Sequence, residues 1–197
     1  MNNIYLIVGC SGSGKTTIVN TLEEKYGLKS IQSYTTRPKR SDSETGHIFI
    51  SDEEYDKLEN ILACTEFCNY RYCATAEQIN ESDLYVIDPA GIESLKAFYK
   101  GDKQFKIIYI KSDITTRYER MRFRSEKSGK LYLEAVEDAL NRIVHDSAKF
   151  YKYEHEETPI DLVVNNGWND DIAHVTEQIY RFIEQCEKGN CYGQIRE

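Results

Sequence analysis

The sequence predicts an α/β fold in which a five-stranded parallel sheet is flanked by helices. Apolar runs of strand length alternate with amphipathic helical patterns from end to end, which is typical of a parallel sheet wrapped by helices. The longest apolar runs, residues 4–8 and 107–110, are far shorter than the roughly 20 residues that a membrane-spanning helix needs. We therefore expect one soluble domain that has no membrane partner.

The composition narrows the classes of partner. The 197 residues include 25 Lys and Arg and 33 Asp and Glu, giving a formal net charge of −8, and 40% are hydrophobic. This chain can bury a core, and its acidic balance argues against broad binding to nucleic acid backbones. Its six cysteines form no Cys-x-x-Cys pair and no signal-like segment opens the chain. We therefore expect reduced thiols, a cytoplasmic location, small-molecule partners and a monomer or homodimer.

The predicted elements follow from periodicity. Short segments that lie between the helical patterns are the predicted strands, namely 4–8, 30–33, 84–88, 106–111 and 161–164. The predicted helices are 15–25, 91–99, 114–124, 131–150 and 170–187. The last helix is the clearest, because apolar residues from Ile172 to Cys186 fall on one stripe at helical spacing.

Two regions interrupt this alternation. Residues 33–81 contain short β-like pieces at 47–50, 61–67 and 70–73 around a helix at 52–60, which Ser51 or Asp52 would cap. The polar stretch 125–130 contains Gly129 and separates two helices, as the hinge of a lid would. The expected organisation is one domain over 1–197, with core segments 1–32, 82–124 and 142–187, an insertion at 33–81, a lid at about 125–141 and a loose tail at 188–197.

Residues 9–16 carry the strongest chemical signal. They read Gly-Cys-Ser-Gly-Ser-Gly-Lys-Thr, which fits G-x-x-x-x-G-K-[ST] between a strand and a helix, the setting of a P-loop NTPase-type fold. Glycines let successive N–H groups converge on phosphate oxygens, and the following helix directs its positive end there. Lys15 is expected to reach the β- and γ-phosphates and Thr16 to bind Mg²⁺. The expected nucleotide-binding residues are Gly9, Ser11, Gly12, Ser13, Gly14, Lys15, Thr16 and Thr17.

A second basic segment follows the second predicted strand. Arg37 and Arg40 lie three apart in residues 33–40, and Pro38 keeps the chain extended between them. In a doubly wound sheet this position is at the carboxyl edge, facing the glycine loop. The two guanidinium groups would suit a second phosphate group, because they match its oxygens bidentately. A basic surface loop is the alternative.

These motifs together resemble the guanylate kinase family. The glycine loop, Ser-x-Thr-Thr-Arg-x-x-Arg at 33–40, Glu44 and Gly46 before a Phe-containing strand, Asn-Tyr-x-Tyr at 69–72 and an apolar strand ending in Asp88 all follow the family order over roughly residues 3–166. The resemblance implies transfer of an ATP phosphoryl group, with Mg²⁺, to a nucleoside monophosphate. It also implies a mobile acceptor-binding region and a lid that closes over the donor.

The resemblance also implies residue roles. Ser33, Arg37, Arg40 and Tyr72 would bind the acceptor phosphate, and His47 is a further candidate contact. Lys15 and Arg37 would act in catalysis with Arg120 and Arg124, which resemble lid arginines, and with Arg142 on the next helix. Asp88 resembles the carboxylate that serves the acceptor base or a magnesium-bound water, so it is the second candidate for the magnesium site beside Thr16.

The acceptor region departs from the family pattern. His47 replaces a usual tyrosine, Ala74 replaces a hydroxyl residue, and Ala63 stands where a glutamate that reads guanine is expected. A missing polar partner costs about 1 to 3 kcal/mol, so discrimination between bases would weaken. GMP or dGMP is the favoured acceptor. A kinase of the ribose 1,5-bisphosphate type and a non-catalytic binding module remain alternatives, and the intact Gly14-Lys15-Thr16 disfavours the module.

Overall fold

The computed structural model describes residues 1–39, 44–67, 69–155 and 157–189. Strands and helices alternate through the chain, with a cluster of short strands near its first third. In chain order they are β1 (Asn3–Val8), α1 (Lys15–Tyr26), β2 (Ser33–Thr35), β3 (His47–Phe49), α2 (Asp52–Tyr55), β4 (Ile61–Phe67), β5 (Tyr70–Thr75), α3 (Ala76–Glu81), β6 (Leu84–Val86), α4 (Pro89–Phe98), β7 (Gln104–Lys111), α5 (Ile114–Lys127), α6 (Tyr132–Lys149), α7 (Tyr151–Glu154), β8 (Leu162–Asn165) and α8 (Ile172–Glu187).

The core sheet has the order β6-β1-β7-β8, and all its pairs are parallel. Every residue of β1 is buried, since helices cover both faces of a parallel sheet. On one face Ile4 and Leu6 pack with α4 and with Phe150 beyond α6, and on the other Tyr5 and Ile7 pack with α1 and α8. The predicted α/β fold with helices flanking a parallel sheet is confirmed.

The edge of this sheet differs from the prediction. Within the described residues it has four strands, and the segment predicted as a fifth contributes only an isolated bridge between Ser30 and Leu84. The Ile31 N–H still donates to the Leu84 carbonyl at 2.9 Å, but the chain then leaves the sheet. Ser33 therefore begins β2 in another sheet instead of ending a core strand.

That second sheet has the order β3-β2-β5-β4, with β2 and β3 parallel and the other pairs antiparallel. The β4–β5 register shifts between Leu62 and Thr65, and Ala63 in this irregularity has a left-handed φ of 50°. Helix α2 is shorter than the predicted 52–60, although Ser51 caps it as expected. The inserted segment thus forms a sheet of its own, and its limits as a separate unit stay a prediction.

The predicted lid region is a helical hairpin. Helix α5 continues to Lys127, so the turn to α6 is shorter than the predicted 125–130 hinge and contains Gly129 at a φ of 91°. Across the turn Ser125 donates to Asp138 at 3.1 Å, and Lys130 pairs with the same carboxylate. These contacts tie the ends of the two helices together.

The cysteines do not all match the expectation. Cys10, Cys64 and Cys73 are free thiols, but Cys186 is disulfide-bonded, so the prediction of reduced thiols is wrong at that position.

Among the described residues, every helix is too short or too polar to cross a bilayer.

Candidate functional site

The glycine loop between β1 and α1 is packed tightly from behind. A Cβ on Gly12 would lie 2.7 Å from the Arg117 carbonyl, and one on Gly14 would lie 2.3 Å from Asn166 Nδ2. Both glycines have positive φ, 78° and 93°, which side-chain-bearing residues rarely adopt. The loop therefore needs glycine for its curvature and for its contact with the neighbouring elements.

Lys15 folds back over this loop. Its ammonium donates to the carbonyls of Gly9 and Cys10 at 2.6 and 2.9 Å. Burial lowers the pKa of Lys15 to about 8, and the nearby Asp146 charge opposes that shift. The Lys15 ammonium is thus partly desolvated, and an incoming phosphate would stabilise its charged form.

Asp146 on α6 is the main contact of the loop that the sequence analysis did not assign. It is 3% exposed and accepts the Ser11 N–H at 2.6 Å and the Ser11 hydroxyl at 3.4 Å. Arg117 pairs with it at 3.6 Å and donates Nε to the Ser11 carbonyl at 3.2 Å. The spacing of Ala135, Ala139 and Asp146 on one buried face of α6 was the signal that could have revealed it.

A cavity of about 590 Å³ opens on the outer side of the loop; we call it the arginine cavity. Its walls combine loop residues, basic side chains and the segment after β8, namely Ser11, Gly12, Gly14, Lys15, Thr16, Thr17, Arg120, Arg124, Arg142, Asn166, Asp170 and Ile172. Arg120 donates to the Asn166 and Gly167 carbonyls at 3.1 and 2.7 Å, and burial lowers its pKa. Ser13 does not line this cavity; its buried hydroxyl has no partner among the described atoms.

A second cavity, about 210 Å³, lies between the loop and the second sheet; we call it the tyrosine cavity. It brings together four of the predicted substrate residues, Ser33, His47, Tyr72 and Asp88. The Ser33 hydroxyl lies 2.8 Å from His47 Nδ1, and the His47 ring contacts that of Tyr72 at 5.7 Å between centroids. Gly9 lines this cavity and not the arginine cavity.

The two cavities share a wall. Ser11, Lys15 and Arg142 line both of them. A group bound in either cavity would therefore contact the same partly buried ammonium and guanidinium groups. Two ligands, one in each cavity, would meet at this shared wall.

Arg37 lies beside the tyrosine cavity and does not line it. Glu44 binds its guanidinium fork at 2.8 and 3.2 Å, and the Phe49 ring is 5.3 Å away. Burial opposes the charge, but Glu44 outweighs burial and raises the pKa of Arg37. Its buried Nε has no partner among the described atoms. Arg40 lies outside the described residues, so the predicted arginine clamp stays a prediction.

Asp88 lines the tyrosine cavity as well. It caps α4 by accepting the Gly91 N–H at 2.7 Å, and it pairs with Lys149 of α6. Lys149 also lines this cavity and was not predicted. Thr16 lies in the other cavity, so the two predicted magnesium ligands line different cavities. Their roles toward the metal stay predictions.

Comparison with known proteins agrees with this geometry. A family model described as Guanylate kinase matches residues 1–186. A guanylate kinase of Legionella pneumophila (strain Paris) is 27% identical, covering 73% of each chain, and one of Hydrogenovibrio crunogenus is 24% identical, covering 94% of this chain and 91% of the relative. A crystal structure of guanylate kinase from Anaplasma phagocytophilum aligns with a TM-score of 0.56 over 97% of this chain and 89% of the other, at 17% identity, and supports the fold. The chain belongs to the guanylate kinase family.

Proposed function

We propose that this protein is a nucleoside monophosphate kinase that transfers the γ-phosphoryl group of ATP to GMP with Mg²⁺. The observation that carries the proposal is the shared wall of the two cavities, where Lys15 and Arg142 face both ligands. Phosphoryl transfer needs little covalent chemistry from the protein beyond alignment and neutralisation of charge. Groups for both tasks are present at this wall.

The arginine cavity fits ATP and its metal. The loop is closed from behind at Gly12 and Gly14, and both glycines line the cavity next to the start of α1, whose positive end favours phosphate. Thr16 is exposed there and would supply a hydroxyl ligand to Mg²⁺, which retains water and needs few protein ligands. When bound, the ion would neutralise phosphate charge. Arg120, Arg124 and Arg142 would do the same from the protein side.

The tyrosine cavity would hold the acceptor. Ser33 and Tyr72 line it, His47 contacts both, and these side chains would offer hydroxyl and imidazole groups to a monophosphate. Arg37 adds positive charge beside them, and we expect it to exchange part of its contact with Glu44 for phosphate. Guanine as the base is supported by the relatives named above, which are all guanylate kinases.

Closure of the active site is assigned to the α5–α6 hairpin. Its arginines and Asp146 reach the loop, so movement of the hairpin would exclude water from the transfer step. The partners we propose are small-molecule nucleotides, with a cytoplasmic location and a monomer or homodimer. The intact loop and buried Lys15 disfavour a role as a binding module alone.

The test is ADP release measured with a coupled assay across GMP, dGMP, AMP, CMP, UMP and ribose 1,5-bisphosphate. GMP or dGMP should give the highest kcat/KM. Activity on the ribose bisphosphate alone would instead support that branch of kinases, and ADP release that no acceptor stimulates would remove the kinase assignment.

A further inference from the structure

The wall of the tyrosine cavity contributed by β4 and β5 is poor in hydrogen-bond acceptors. Ala63, Thr65 and Tyr72 are its lining residues from these strands, so this wall offers a methyl group and hydroxyls but no carboxylate within the described part of the chain. Glu66, the nearest acidic side chain along β4, is exposed and pairs in register with Arg71 away from the cavity. Both small residues of β4, Ala63 and Thr65, line the cavity on either side of the register shift.

Outside β4 and β5, the lining of the same cavity carries a fixed acceptor and a fixed donor. Asp88 is held by the Gly91 N–H and pairs with Lys149, and their side chains are 22% and 19% exposed. A carboxylate can only accept hydrogen bonds and an ammonium can only donate them. The pair therefore matches a ligand edge on which an acceptor and a donor stand side by side, and the Tyr85 and Phe150 rings line the same cavity.

Guanine has such an edge. Its 6-oxo group accepts, its N1–H donates, and its 2-amino group lies next to N1–H. If N1–H and the oxo group engage Asp88 and Lys149, the 2-amino group would face the wall of Ala63 and Thr65. A neutral hydroxyl there contributes far less than a carboxylate would, about tenfold at most.

We propose that this kinase accepts 6-oxopurine monophosphates as a class, phosphorylating IMP nearly as well as GMP, and that Lys149 is a specificity-determining residue. The inference rests on the proposed function, because it takes guanine as the reference acceptor. Hypoxanthine keeps the oxo group and N1–H and lacks only the amino group that the structure leaves without a charged partner. Adenine reverses the donor and acceptor order at the same edge and should be rejected.

The first measurement compares kcat/KM for GMP, IMP and AMP under identical ATP and Mg²⁺ concentrations. We expect a GMP to IMP ratio of at most about ten and an AMP value lower than both by about a hundredfold or more. Rapid turnover of GMP with IMP more than a hundredfold poorer would overturn this inference and leave the proposed function intact. Turnover of neither 6-oxopurine would overturn both.

Lys149→Met tests whether Lys149 determines specificity for the base. It should lower kcat/KM for GMP and IMP about ten- to a hundredfold and leave the AMP value within about threefold. Lys106→Met is the matched control, because Lys106 pairs with Asp161 at similar exposure, 21% and 33%, on a strand outside the cavity. Equal losses for GMP, IMP and AMP in the Lys149 variant would assign the ion pair a structural role and refute the proposal.

Ala63→Glu should restore selectivity for the amino group. The backbone there already carries a Cβ at a left-handed φ, so a longer side chain adds little backbone strain. A raised GMP to IMP ratio, by about tenfold or more, is expected for the glutamate variant and not for the isosteric Ala63→Met. An unchanged ratio in a folded Ala63→Glu, verified by circular dichroism, would contradict the position assigned to the amino group. If this variant does not fold, the wild-type ratio and the Lys149 variant decide.

Discussion

The arginine cavity and the tyrosine cavity differ in the share of main-chain and side-chain groups that form them. Around the first, main-chain groups of the loop are fixed by contacts from other elements, such as Asn166 Nδ2 to the Ser13 carbonyl at 2.7 Å and Arg120 to the Gly12 carbonyl at 3.4 Å. In the second, much of the exposed lining is apolar, and polar side chains bind one another as well as the main chain, such as Ser33 with His47 and Asp88 with Lys149. A surface made of main-chain groups tolerates sequence change, whereas one made of side chains can change its ligand by single substitutions.

The largest effect is expected from removing Lys15 from the wall that the two cavities share. Lys15→Ala should lower kcat by about a thousandfold, because the ammonium that neutralises developing phosphate charge is lost. Coupled ADP release measures kcat, and thermal unfolding checks that the variant remains folded. Lys25→Ala on the exposed end of α1 should match wild type in both. Wild-type turnover in Lys15→Ala would contradict the whole assignment of the arginine cavity.

The next effect concerns the loop contact that α6 supplies. Asp146→Asn should lower the free energy of unfolding by about 3 kcal/mol, since Arg117 would be left buried without an opposite charge. Urea denaturation measures it. The control is Asp138→Asn on the same helix, whose pair with Lys130 is half-exposed and should cost below about 1 kcal/mol. Equal costs for the two variants would show that the buried contact adds nothing to the loop.

The third prediction concerns Arg37, which lies beside the tyrosine cavity, and compares KM for GMP with KM for ATP. Arg37→Ala should raise KM for GMP about ten- to a hundredfold and leave KM for ATP within about twofold, because the charge it supplies lies beside one cavity only. Arg71→Ala is the control in the same sheet, where an exposed guanidinium pairs with Asp52 and Asp56. A parallel rise in both KM values would place Arg37 at the ATP side or in the folding of the sheet.

The smallest expected effect is a pH dependence. The pKa of Lys15 lies near 8 instead of its ordinary 10.5, so the free enzyme loses the ammonium above pH 8. Values of kcat/KM for ATP should fall about tenfold per pH unit beyond that point, whereas kcat should hold to higher pH because bound phosphate favours the charged lysine. The unfolded chain binds the proton more tightly, so this group makes stability rise from about pH 8 to 10.5. A flat kcat/KM profile to pH 10 would contradict this.

Sequence reasoning reached the features that depend on local chemistry. The glycine loop was predictable because its function is encoded in eight adjacent residues, and the alternating pattern gave the class of fold. Asp146 and Lys149 were not, since each acts on a residue far away in the chain, Ser11 and Asp88. The exit of the chain into β2 and the register shift at Ala63 also escaped prediction, because both are decided by pairing with distant strands.

The Asp146 carboxylate already accepts the Ser11 N–H, so nucleotide binding at this amide replaces one anion by another. An oxygen of the triphosphate that takes this amide must displace Asp146, whose charge then remains with Arg117. Asp146 accordingly acts as an internal counter-ion of the loop, and the affinity for ATP reports the difference between two competing anions.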